Sequence, residues 1–203
     1  MSPKNGSART VAAESGAEGK NQNEYGANDS TTEEIDNDPD WLEPKFDNIP
    51  DALKAQPWAV WIAEPRLGKP GKFDKAPRCP KGGYKIGTNQ PEKFGTLAEA
   101  KAAYERGGYT GVGVLLTRSG IIGVDIDDYS DTFLATPKLQ KWTAKAVSDG
   151  AYCEFSPSGE GLRLFMYGKL PESGRKVGPL EIYDNVRFLT VTGHAVDLKQ
   201  GDE

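Results

Sequence analysis

The residues with the clearest chemical potential lie in the stretch 120–128, where an apolar run ends in Asp125, Asp127 and Asp128. If this stretch is a β-strand, Ile122, Val124 and Ile126 face one way, and Ile121, Gly123, Asp125 and Asp127 face the other. Alternate strand positions are roughly 6.5 to 7 Å apart at Cα, so both carboxylates could reach one or two divalent ions. Gly123 leaves room beside them, and Asp128 falls on the opposite face. A strand that merely ends in a polar turn would look the same, so the other stretches must decide between the two readings.

Two later stretches add to the pair. In Ser156-Pro157-Ser158-Gly159-Glu160-Gly161-Leu162-Arg163, a serine-glycine turn leads into a strand. There Leu162, Leu164 and Met166 share one face, and Arg163, Phe165 and Tyr167 the other. Unpaired amides in such a turn can hold phosphate oxygens, and a guanidinium beside them adds charge-assisted bonds. An ordinary hairpin loop with an exposed arginine is the alternative. In the stretch 179–184, Leu180 and Ile182 face a core while Glu181 and Tyr183 take the polar side, making Glu181 a third acid. Arg187 and Phe188 follow closely. Upstream, residues 65–88 hold seven bases (Arg66, Lys69, Lys72, Lys75, Arg78, Lys81, Lys85) against Asp74 alone. Phe73 and Tyr84 lie among them, a pattern suited to a phosphate backbone or equally to a solvated loop.

The elements that must position these groups are legible from local signals. Residues 50–55 predict a short helix with proline in its first turn, and 58–62 a strand rich in aromatic and β-branched residues. Thr96 and Glu99 form a capping-box pattern that starts a helix running to about Arg106 and stopping at Gly107-Gly108. Residues 112–116 read as a strand that the tight connection 118–120 would join to the carboxylate strand as a hairpin. Thr136-Pro137 predicts a second helix, N-capped by threonine and ending near Gly150. Strands are expected at 151–155, 161–167, 179–183 and 187–192. Strands outnumber helices and hairpins dominate, which indicates an α+β fold with a mixed, largely antiparallel sheet and flanking helices.

The net charge of -5 is unevenly spread. Residues 1–40 hold nine acids and three bases, leaving 21 acids and 22 bases in 41–203, so the low pI does not argue against a nucleic-acid partner for the latter. The first 40 residues are polar, acidic and poor in large aliphatics, and are expected to be a disordered tail. A folded domain is expected over 41–197, with a short tail at 198–203. No apolar run is long enough for a membrane span or a signal peptide, which predicts a cytoplasmic protein with no membrane partner. Cys79 and Cys153 lie far apart with no CxxC spacing, so free thiols are expected rather than a disulfide or zinc site.

Taken in order, these motifs resemble the archaeo-eukaryotic primase-polymerase superfamily, in the form found at the N-terminus of bifunctional primase-polymerases of phages and plasmids. The resemblance covers roughly residues 46–197. It is carried by Ile49-Pro50 with Trp58 and Trp61, Lys75-Ala76-Pro77, Gly111-Val112-Gly113, Gly123-Val124-Asp125-Ile126-Asp127, the Ser156 to Arg163 turn, and Glu181-Ile182-Tyr183-Asp184 with Arg187-Phe188. It implies an RRM-like catalytic core in which Asp125, Asp127 and Glu181 hold two Mg²⁺ or Mn²⁺ ions. It also implies that Ser158, Gly159, Gly161 and Arg163 grip the triphosphate of a dNTP or NTP, with Lys75 and Arg187 as further nucleotide contacts and Phe188 against the sugar. The implied partners are a single-stranded DNA template and primer, and a helicase module in cis or in trans. The implied setting is a bacterial or archaeal cell, or a phage-infected host.

The chain departs from that pattern in two ways. Many members carry histidine where this chain has Arg163, and arginine binds phosphate but does not exchange a proton near neutral pH. His194 lies beyond the last motif and is no substitute. Relatives usually continue into a helical subdomain and a helicase with a GxxxxGK[ST] loop, and no such loop occurs in these residues. Three other readings fit parts of the pattern. A DxD glycosyltransferase requires a parallel sheet with alternating helices. A metal-dependent nuclease usually has lysine where Tyr183 stands. A non-catalytic nucleotide- or nucleic-acid-binding module would be expected to have lost an acid, and all three are present.

Overall fold

The computed structural model describes residues 39–172 and 174–198. The expectations for residues 1–38 and 199–203 fall outside the described residues. In chain order the elements are α1 (Asp51–Lys54), β1 (Trp58–Trp61), β2 (Glu64–Pro65), β3 (Phe73–Asp74), β4 (Pro77–Arg78), α2 (Leu97–Glu105), β5 (Gly111–Thr117), β6 (Ile121–Ile126), α3 (Pro137–Ser148), β7 (Tyr152–Phe155), β8 (Leu162–Tyr167), β9 (Arg175–Val177), β10 (Leu180–Tyr183) and β11 (Asn185–Val191). A π-helical turn, Tyr129–Phe133, lies between β6 and α3. The fold is α+β, and the pairings between these strands are antiparallel.

The strands form a four-stranded sheet in the order β11-β5-β1-β4, a five-stranded sheet in the order β7-β8-β6-β10-β9, and the small ribbon β2-β3. The expected hairpin between β5 and β6 does not form. β5 lies between β11 and β1, and β6 lies between β8 and β10. Both strands are almost wholly buried, so each is central to its own sheet, and a hairpin would have left one of their edges without that partner. The connection instead passes from one sheet to the other, with the Arg118 amide donating to Asp184 O and the Gly168 amide to Gly120 O.

The alternation in β6 is as the sequence predicts, and both faces are used. Ile122, Val124 and Ile126 join Leu162, Leu164, Cys153 and Phe133 in a core that takes Leu139, Ala146 and Val147 of α3. On the other face, Ile121 and Phe165 join Trp58, Val60, Val112, Val114, Leu116, Leu189 and Val191, with Ala100 and Ala103 of α2. Gly123 permits this second contact: a Cβ there would fall 2.3 Å from Leu189 Cδ1 and 2.9 Å from Leu116 Cδ1. Full burial of each large apolar side chain contributes about 1.5–3 kcal/mol, so the two cores fix β6 firmly from both sides. The strand then reaches Asp125 with little freedom to shift.

Both bonds of the capping box on α2 are present, the Glu99 amide to Thr96 Oγ1 and the Thr96 amide to the Glu99 carboxylate. At α3 the threonine cap differs from expectation. Thr136 makes no side-chain cap bond, and the Gln140 amide group instead satisfies the carbonyls of Phe133 and Leu134. The basic stretch is more structured than a plain loop because it contributes β2, β3 and β4, and β9 was not expected at all. Cys79 and Cys153 are free and buried. Among the described residues no helix is long and apolar enough to cross a membrane.

Candidate active site

Strand register brings the predicted residues together. Asp125 of β6 is directly opposite Arg163 of β8 on one side and Glu181 of β10 on the other. The row continues outward to Glu154 of β7, opposite Arg163, and to Lys176 of β9, opposite Glu181. Directly opposed side chains share a sheet face with Cβ atoms about 4.5–5.5 Å apart. The five strands therefore carry a charge row in the order Glu154, Arg163, Asp125, Glu181, Lys176. Asp127 follows β6, its amide donating to Pro179 O at 3.0 Å, and it lines a cleft of about 1020 Å³ together with Asp125, Glu181 and Arg163.

Like charges directly opposed on a sheet destabilise it unless they are compensated. Here the compensation comes from basic groups of the same chain. Arg163 is buried, not exposed as its strand parity suggested; its Nε donates to Asp125 Oδ1 at 3.2 Å and its Nη1 to Thr190 O at 2.8 Å. Glu181 receives Lys176 Nζ on Oε1, and on Oε2 it receives the Tyr183 hydroxyl at 2.9 Å and Arg187 Nη2 at 2.6 Å. The Arg187 guanidinium lies 4.4 Å from the centre of the Tyr183 ring. Burial pushes the Glu181 carboxyl up, but Lys176, Tyr183 and Arg187 outweigh it and hold Glu181 below its ordinary value. Asp127 is raised, first by burial and then by the charge of Asp125, with Glu181 adding to the effect.

Glu154 anchors the far end of the row. It is fully buried and accepts from the amides of Thr192 (3.0 Å) and Gly193 (2.8 Å) and from the Tyr152 hydroxyl (3.0 Å). Burial pushes its carboxyl up to about 7, with those amides, Arg163 and Tyr152 opposing. Local sequence gave no reason to single it out, because a lone Glu in a strand looks solvated until its buried partners are known.

The Ser156–Gly161 turn is arranged differently from expectation. The Gly159 amide is bonded to Ser156 O and the Gly161 amide to Ser156 Oγ, so neither is unpaired. Ser158, Gly161 and Arg163 line the cleft, and Gly159 is not among its lining residues. Lys75, Arg187 and Phe188 line it too. Lys75 Nζ lies 5.0 Å from the Trp41 ring centre and 5.9 Å from that of Trp61. Burial, then the nearby Arg163 charge, lowers the Lys75 ammonium to about 8, against the raising effect of Asp125, Asp127 and Glu160. Of the other bases in 65–88, Arg66 and Lys72 also line the cleft, whereas Arg78 and Lys85 pair with Glu64, and Lys81 with Glu99. His194 is bonded to Glu43 O and is not among the cleft-lining residues.

No protein-family model matches the chain. It is 30% identical over 149 residues to a DNA primase-polymerase of Nitratiruptor phage NrS-1, a match that covers 69% of this chain and 19% of that protein. The chain is related to phage primase-polymerases. It spans about a fifth of the length of that relative. Asp125, Asp127, Glu181, Lys75, Ser158, Gly161, Arg163 and Arg187, singled out from the sequence, all line one cleft. Among the described residues, however, no three His, Cys, Asp or Glu side chains converge in an arrangement ready to hold a metal ion. The donor set itself suits hard divalent cations: three carboxylates at one cleft, on β6, just after it and on β10.

Proposed function

We propose that this chain is the catalytic module of a template-dependent nucleotidyltransferase, a DNA primase or polymerase acting in phage or plasmid replication. The observation that carries the reading is the register that sets Asp125 between Arg163 and Glu181 at a cleft also lined by Asp127, Lys75, Ser158 and Arg187. The proposed substrates are a dNTP or NTP and a primer on single-stranded DNA, with a helicase module as a partner in cis or in trans.

In this reading Asp125, Asp127 and Glu181 hold two Mg²⁺ or Mn²⁺ ions. When bound, such ions supply activation of the primer hydroxyl and neutralisation of charge on the phosphate. The chain's own groups supply the remaining charge. Arg163 uses two of its donors on Asp125 and Thr190 O, and a guanidinium has five N–H groups, so others remain for phosphate oxygens. Lys75 brings an ammonium held against two indoles, Arg187 a guanidinium fixed against Tyr183, and Ser158 a hydroxyl. Phe188 offers an apolar surface for the sugar. Arg66 and Lys72 extend the positive charge along the cleft, where a template strand would be drawn by its phosphates.

A nucleotide-binding module without catalysis is the second reading, favoured by the fact that Arg163, Lys176 and Arg187 already engage Asp125 and Glu181. The glycosyltransferase alternative has no comparable support, since its parallel nucleotide-binding sheet is absent among the described strands. Extension of a labelled primer with Mg²⁺ or Mn²⁺ and either dNTPs or NTPs separates the readings. Metal-dependent extension that disappears in an Asp125→Asn/Asp127→Asn variant is expected. Nucleotide binding without extension would favour the binding module.

A further inference from the structure

Glu181 is held unequally at its two oxygens. Oε2 takes two well-anchored donors, the Tyr183 hydroxyl and Arg187, and Arg187 is itself stacked on the Tyr183 ring. Oε1 takes only Lys176, whose side chain is 57% exposed while that of Glu181 is 12% exposed. Lys176 sits on β9, a three-residue strand at the edge of the sheet whose sheet neighbour is β10. A long, flexible ammonium on an edge strand is the contact most easily exchanged, and a strongly hydrated point charge pays little to leave. It lines the same cleft as Asp125, Asp127 and Glu181, so the ammonium stands beside the three carboxylates.

We propose that Lys176 is a cation placeholder: its ammonium neutralises Glu181 Oε1 while the acids hold no metal, and it moves to the phosphate oxygens of the incoming nucleotide when a divalent ion takes that oxygen. This rests on the reading of Asp125, Asp127 and Glu181 as metal ligands. Arg187 and Tyr183 stay on Oε2 throughout and keep the Glu181 side chain in place. The exchange conserves charge at the cleft. One cation leaves a carboxylate as another arrives, and the displaced ammonium meets the anionic substrate. Lys176 is thereby a positioning group for the metal-free site and a binding group for the nucleotide.

The test is direct Mn²⁺ binding, followed by the electron paramagnetic resonance of free Mn²⁺, for the full chain and for Lys176→Met. An Arg175→Met variant serves as the control: Arg175 is a base on the same strand β9, pairs with Glu172 and is not among the cleft-lining residues. Without nucleotide, Lys176→Met is expected to bind Mn²⁺ roughly two- to fivefold more tightly than wild type, the size of effect expected of an ion pair at a partly exposed site. Arg175→Met is expected to match wild type. In saturating Mn²⁺, Lys176→Met is expected to bind dATP several-fold more weakly. Unchanged Mn²⁺ affinity in Lys176→Met would overturn the placeholder while leaving the metal site intact. Equal tightening in Arg175→Met would also overturn it, since the effect would then be the general positive charge of β9 and not the contact with Glu181. Failure of the wild-type chain to bind Mn²⁺ at all would remove the metal-site reading, and the placeholder with it.

Discussion

Arg163 is the joint of the charge row, and replacing it with methionine gives the sharpest quantitative consequence. Its side chain is 7% exposed, against 18% for its partner Asp125, and it also holds Thr190 O. Arg163→Met keeps most of the side-chain volume but takes a donor from Asp125 and from the Thr190 carbonyl, and removes a stabilising charge near Glu154. Glu154 is the more serious loss, because it is fully buried and Arg163 is one of the groups opposing the rise of its carboxyl to about 7. Removing one partner of a buried charge pair costs about 3–5 kcal/mol. The cost also depends on pH. The folded carboxyl of Glu154 is raised from 4.5 to about 7, so the folded state binds the proton more tightly than the unfolded state. Its contribution to stability is then greatest below 4.5 and is lost as pH rises through about 7, by about 3 kcal/mol in all. Without Arg163 the folded value rises further, and the loss extends to higher pH. Urea unfolding of both proteins at pH 6 and pH 8 should show a deficit for Arg163→Met near the upper end of the range at pH 8, and a clearly smaller one at pH 6, where Glu154 can stay protonated. A deficit under about 1 kcal/mol, typical of surface pairs, or one equal at both pH values, would refute the buried row.

Other consequences follow from single contacts. Lys75, with its ammonium lowered to about 8, should lose charge across pH 7 to 9, so dATP affinity should fall several-fold over that range in wild type and stay flat in Lys75→Met, as read by equilibrium binding. Thr96→Ala should lower the urea stability by about 1 kcal/mol through the capping box, without changing nucleotide binding. Gly113→Ala should destabilise by about 1–3 kcal/mol in the same assay, because its Cβ would fall 2.4 Å from Leu189 O, a backbone atom that cannot swing aside, and 2.7 Å from Phe188 Cζ. Reversing the charges of Arg66, Lys69 and Lys72 should reduce the salt dependence of single-stranded DNA binding, and an unchanged slope would remove that stretch from the template path.

The local rules served well where one segment decides its own structure. The capping box at Thr96 and Glu99, the helix ends at Arg106 and Asp149, and the alternation of Ile122, Val124 and Ile126 all appear as expected. Strand pairing was legible only in part, because pairing is settled by distant partners. The short link at Arg118 to Gly120 suggested a hairpin, yet burial on both faces sent β5 and β6 to separate sheets. The site shows the same division. Asp125, Asp127, Glu181, Lys75 and Arg187 stood out by type and order, and they line one cleft. Parity put Arg163 on the face it shares with Phe165, but that face packs against a core, and the burial of Arg163 depends on Asp125 and Thr190 O meeting it there. The turn amides looked available until the Ser156 hydroxyl and carbonyl were seen to occupy those of Gly159 and Gly161. Glu154 and Lys176 carried no local signal, since their roles come wholly from cross-strand register.

The most direct test of the central claim is primer extension by three single variants, Asp125→Asn, Asp127→Asn and Glu181→Gln, each checked for folding by its urea midpoint. Glu181 is the informative case, because it is tied to Lys176, Tyr183 and Arg187 and lies on a different strand from the aspartates. If the three acids act as one metal-holding unit, each variant alone abolishes the Mn²⁺-dependent extension shown by the wild-type chain. Wild-type extension by folded Glu181→Gln would contradict the account, leaving Glu181 as the structural partner of Arg187 and Lys176.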